Sequence, residues 1–181
     1  MSIITDIKHW YGNWQLNRSD LEQKRQRQVF NLEKANRITV LFDGTEPKTV
    51  QRVKVFVNEL SKGKEVVSAL GYVNEKDKSF EHMSTLHFDF FSNDELNWYG
   101  KPQGMVIENF LKEEYDILID LSLKEFYPLT YLAVASPAKF KVGRCRDDVN
   151  VFDLTIDNTN NTSLESLIKE IIHYLNRIEP I

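Results

Sequence analysis

From residue 36 onward, short apolar runs rich in branched residues alternate with amphipathic stretches at helical spacing. That alternation predicts a three-layer α/β/α fold around a doubly wound, mostly parallel sheet, because strands separated by helices must run parallel. Two further observations point the same way. Several of the runs are almost continuously apolar, as expected of strands covered on both faces, and most are followed by glycine, proline or capping residues that punctuate the chain.

The first strand is Arg37-Ile38-Thr39-Val40-Leu41-Phe42-Asp43, whose continuous apolar centre predicts a central position. Gly44-Thr45-Glu46-Pro47 turns the chain into a helix reaching about Lys62, with Thr45 as the expected cap and Pro47 in the first turn, where no donor is lost. Val50, Val53, Val57 and Leu60 form its buried stripe, and Gly63 is placed to stop it. Residues 65–73 read as a second buried strand, followed by a charged turn over 74–78. Residues 86–91 read as a short third strand nearer the sheet edge, because polar residues alternate through it. The Asn, Asp, Gly and Pro content of 92–103 predicts a loop, and Met105, Val106, Phe110 and Leu111 mark a short helix. Residues 115–121 make the fourth strand. The next helix spans 126–135, with Pro128 in its opening turn and Ser136-Pro137 as its stop. Residues 139–142 return as a fifth strand, 151–156 as a sixth at the edge, and Thr162-Ser163-Leu164-Glu165 reads as a capping box before the last helix.

Composition bounds the rest. A chain of 181 residues is one ordinary domain, able to bury roughly 70% of the surface its unfolded form exposes. There is no run of about 18 apolar residues, and the first residues lack the basic start and apolar core of a secretion signal, so a cytoplasmic protein is expected. One cysteine excludes an internal disulfide and any multi-thiolate metal site, which fits a reducing compartment. Residues 1–37 carry seven Lys or Arg against four Asp or Glu, a local +3, whereas the remaining 144 carry 16 against 23. That acidic body, at −7, repels phosphate backbones and disfavours a nucleic-acid partner.

A doubly wound sheet of the Rossmann-like or flavodoxin-like kind places its crevice where strand order reverses, here between the first and fourth strands. Two polar clusters reach that edge: Asp43, Gly44 and Thr45 from the first, and Asp120, Ser122 and Lys124 from the fourth. These six residues are the predicted ligand-binding candidates. The alternative is that Asp, Ser and Thr after a strand merely bond the free N–H groups of their own turns. No Gly-x-Gly-x-x-Gly or Gly-Lys-Thr cradle is present, so a tight nucleotide grip is not written in the sequence. No catalytic residue, cofactor or metal site is predicted. His82, His87 and Asp89 form a loose grouping whose spacing argues against a metal, and Cys145, between Arg144 and Arg146, has no partner base nearby in sequence.

The first 35 residues stand apart as an amphipathic, basic leader, leaving 36–181 as a single α/β domain. Ile3, Ile7, Trp10 and Trp14 recur at helical spacing, with Tyr11 beside them. Three roles are open to Trp10, Tyr11 and Trp14: packing on the sheet's flank, burial against a protein partner or second copy, or contact with an anionic membrane surface.

The string YDILIDLS, followed about 16 residues later by ASPAKFKVG, resembles an uncharacterised family of small bacterial proteins, a domain of unknown function. More distantly, the same segment is similar to the amino-terminal half of heptosyltransferases, glycosyltransferases of the GT-B type, whose fourth strand ends in a similar Asp-Leu and whose next strand ends near a glycine such as Gly143. That second resemblance implies topology and a nucleotide-sugar ligand as the alternative function. It breaks at FDGTEPKT, where that family has a Leu-Gly-Asp loop, and in the absence of a carboxyl-terminal nucleotide-sugar domain. The expected function is non-catalytic binding or protein interaction.

Overall fold

The structure is a computed structural model that describes residues 25–75, 83–145, 151–159 and 161–179. Six strands form one sheet: β1 (Arg37–Asp43), β2 (Val66–Val73), β3 (Phe88–Ser92), β4 (Ile117–Asp120), β5 (Phe140–Arg144) and β6 (Leu154–Ile156). Their order is β3-β2-β1-β4-β5-β6, and every pair is parallel. Among the described residues four helices complete the layers: α1 (Pro47–Leu60), α2 (Met105–Lys112), α3 (Tyr127–Ala135) and α4 (Leu164–Arg177). The fold is therefore the three-layer, Rossmann-like arrangement that the alternating pattern predicts, with β1 central and β3 and β6 at the edges.

Side chains alternate across the pleat and divide the core in two. On one face Ile38, Val40, Phe42, Ile117 and Ile119 meet Val50, Val53 and Val57 of α1 and Leu167, Ile171 and Leu175 of α4. On the other, Leu41, Leu70, Tyr72 and Leu118 meet Ile107 and Phe110 of α2 and Leu129 and Leu132 of α3. Burial on both faces explains why these strands read as unbroken apolar runs. α1 leaves β1 toward the first face and α3 leaves β4 toward the second, as right-handed crossovers require when the chain winds in opposite directions.

Two caps differ from the sequence reading. Glu46, not Thr45, occupies the N-cap of α1 and makes no side-chain cap bond. The Thr45 hydroxyl instead accepts the Asn74 N–H at 2.9 Å, tying the β1 turn to the end of β2. At α4 the cap is Ser163, whose hydroxyl accepts from Ser166 N at 3.2 Å, so the predicted Thr162–Glu165 pair is one residue out of register. Gly63 follows α1 with a φ of +77°, the left-handed stop the sequence predicts.

Residues 25–36 lie along the amino-terminal edge of the sheet. Gln28 N–H donates to the Lys139 carbonyl at 3.3 Å, Leu32 N–H to the Leu175 carbonyl at 3.2 Å, and Ala35 is fully buried. Trp10, Tyr11 and Trp14 fall outside the described residues.

Candidate functional site

The carboxyl ends of β1 and β4 are neighbours, with Leu41 paired to Asp120. Asp43 lies two residues beyond Leu41 and on the same face. The topology thus brings the two polar clusters to one edge. Locally, each carboxylate closes its own turn: Asp43 Oδ1 accepts Thr45 N–H at 3.0 Å, and Asp120 Oδ1 accepts Ser122 N–H at 2.8 Å. These are the side-chain turns that compete with a ligand role. Asp120 and Ser122 are each 1% exposed, and the buried Ser122 hydroxyl has no hydrogen-bond partner among the described residues. Gly44 donates its N–H to the Tyr72 carbonyl at 2.8 Å, and Lys124 is exposed.

Beside this edge, on the α2–α3 face, a cavity of about 420 Å³ opens. Its lining comes from both sides of β1: Tyr72 at the end of β2 and the segment after β3 on one side, Glu125 to Pro128 after β4 on the other. Five aromatic residues, Tyr72, Trp98, Tyr99, Phe126 and Tyr127, dominate it, with Asn93, Asn97 and Glu125 as the polar members.

The segment after β3 is built to hold its shape. Glu95 accepts from the Ser92 N–H at 2.7 Å and the Ser92 hydroxyl at 3.1 Å, closing a 3-10 turn over Asn93–Glu95. Leu96 then bridges Pro102, and the Asn97 side-chain carbonyl accepts the N–H groups of Tyr99 (3.2 Å) and Lys101 (2.9 Å). Gly100 turns the tip at φ +93°, a conformation that strains any side chain, and a Cβ there would come within 3.3 Å of the Tyr127 ring. This fixes Trp98 and Tyr99, which meet edge to face at 5.1 Å, at the mouth; Trp98 is 59% exposed.

Tyr72 forms the inner wall. Its ring meets Phe126 at 5.4 Å and 65°, and its hydroxyl lies 2.5 Å from Asn93 Oδ1 and 3.2 Å from Asn74 Oδ1. Burial, reinforced by the negative charge of Asp43, pushes the phenol up to about 12, so it stays protonated and donates.

None of this lining was among the sequence candidates. The local signal was an adjacent Trp98-Tyr99 pair inside a segment otherwise read as polar loop, since a large aromatic in an Asn- and Gly-rich turn has no core to fill. Of the other candidates, His82 lies outside the described residues. His87 Nδ1 faces the Val67 carbonyl at 2.9 Å, an acceptor, so that nitrogen carries the proton and is engaged in the fold. Among the described residues no group of three His, Cys, Asp or Glu is placed to hold a metal ion, and Cys145 is exposed. No helix of the described residues is long and apolar enough to cross a membrane.

The model of a family of unknown function, DUF6913, matches residues 8–178. The chain belongs to that family. No curated protein and no solved structure matches it. The DUF6913 match runs through every element of the sheet and both polar clusters at its carboxyl edge. In this DUF6913 chain the glycine singled out at the end of the fifth strand has a packing reason: a Cβ at Gly143 would come within 2.5 Å of the Phe152 ring.

Proposed function

We propose that this domain binds a small molecule without transforming it, in the cavity between the segment after β3 and the start of α3. The observation that carries this reading is the recess itself. Five aromatic side chains and two amides, drawn from three separated segments, line about 420 Å³ of space beside the point where strand order reverses. Concave, aromatic, sparsely polar recesses at that point are where open α/β sheets take their ligands. Binding rather than catalysis is favoured because the described residues of the lining include no serine, cysteine, histidine or lysine, and so no Ser–His, Cys–His or Ser–Lys pairing of nucleophile and base. A nucleotide sugar would bring a diphosphate, and the described residues of the lining offer it neither lysine nor arginine.

Thermal-shift measurements against sugars, nucleosides, nucleotide sugars and small amines test the proposal. A ligand present at 100 times its Kd adds about 2.7 kcal/mol to stability. The expected result is a rise in Tm for one chemical class that disappears in a Trp98→Ala/Tyr99→Ala double variant. A rise retained in that variant would place the ligand elsewhere and overturn the assignment.

A further inference from the structure

We infer that the ligand of this cavity is an organic cation, a small molecule carrying an alkylated ammonium group; the inference rests on the proposed use of the cavity as a ligand site. Aromatic faces carry the negative part of the ring quadrupole, and several of them around one space attract a cation too bulky to be well hydrated. Here Tyr72, Trp98, Tyr99, Phe126 and Tyr127 share one space, and among the described residues that line it Glu125 is the single formally charged one. A second carboxylate, Asp43, acts on Tyr72 from the end of β1. Next to the cavity one tyrosine already faces a cation: Lys101 Nζ stands 5.2 Å from the centre of the Tyr131 ring, which is tilted 41° to the Tyr127 ring at 6.4 Å.

One feature opposes this assignment. Phe126, Tyr127 and Pro128 open α3, and the start of a helix favours negative charge. Its effect is reduced twice over, because Pro128 has no N–H to offer and the Glu125 carboxylate sits one position before the N-cap. An anionic ligand would meet Glu125 with no lysine or arginine among the described lining residues to offset it.

The test is an NMR titration of the full chain with tetramethylammonium, choline, and 3,3-dimethylbutanol, the uncharged isostere of choline. The expected result is that choline binds about tenfold or more tightly than the isostere. Glu125→Gln should weaken choline several-fold without moving Tm, and Trp98→Ala/Tyr99→Ala should abolish its binding. Equal affinity for choline and its isostere overturns the cationic class and leaves the cavity as a ligand site. So does silence from both cations when an uncharged or anionic compound stabilises the wild type but not the double variant. Choline binding that survives the double variant overturns the inference, since the cation then binds elsewhere. If no compound of any class acts through these residues, the cavity reading falls with it.

Discussion

Arg25 and Asp153, 128 positions apart, meet in a two-pronged ion pair, with Nη1 2.7 Å from Oδ2 and Nη2 2.8 Å from Oδ1. The Arg25 side chain is only 2% exposed, and it also donates to the carbonyls of Ala138 and Lys139. Asp153 in turn accepts the Lys141 N–H at 2.9 Å. One guanidinium thereby fastens the segment before β1 to the approaches of β5 and β6. Replacing Arg25 with Met leaves a half-enclosed carboxylate and the Ala138 carbonyl short of a donor, and should cost about 2–4 kcal/mol. A fall in the urea midpoint at unchanged m-value is the expected readout; an unchanged midpoint would show the clamp to be worth nothing net.

Acid should loosen the fold through two carboxylates. Burial works to raise Asp116, but hydrogen bonds from Asn36 N–H, the Lys139 ammonium and Arg37 N–H prevail and hold it below its ordinary value of 3.8. At Asp153 burial is likewise outweighed by Arg25, the Lys141 N–H and Arg27. Folded values below the unfolded one mean that the stabilisation is present above pH 3.8 and lost as pH falls through the lower folded values. Asp116→Asn and Asp153→Asn should each be less stable at pH 7 and show a shallower acid limb in stability against pH.

Alkali should act through two tyrosines. Burial, with help from Asp43 at Tyr72 and Glu113 at Tyr115, pushes both phenols from 10.0 up to about 12. Because the unfolded chain then loses these protons first, their stabilisation is complete below pH 10 and disappears as pH rises toward 12. Ultraviolet titration should show both phenols ionising late, with one late step lost in Tyr72→Phe and one in Tyr115→Phe.

Gly143→Ala should destabilise by about 1–3 kcal/mol, because the new methyl would overlap the Phe152 ring at 2.5 Å. Phe152 is 6% exposed and packed in the α2–α3 core, which limits its freedom to retreat. Pairing the change with Phe152→Leu should recover part of the loss, measured as coupling in a double-mutant cycle.

The sequence by itself determined the three-layer class, the central place of β1, the edge places of β3 and β6, and the placement of Asp43 and Asp120 at the carboxyl edge of neighbouring strands. It could do so because apolar periodicity and crossover handedness are properties of the chain that few topologies satisfy. Capping partners were less legible: Thr45 and Ser163 are both good caps in sequence, yet Thr45 turns to Asn74, a choice made only once β2 lies alongside. The cavity was decided by tertiary structure alone. Tyr72, Trp98 and Tyr127 come from three segments whose spacing carries no pattern, and they share one space only because strands β2 and β4 flank β1 and the turn at Gly100 brings its loop against α3.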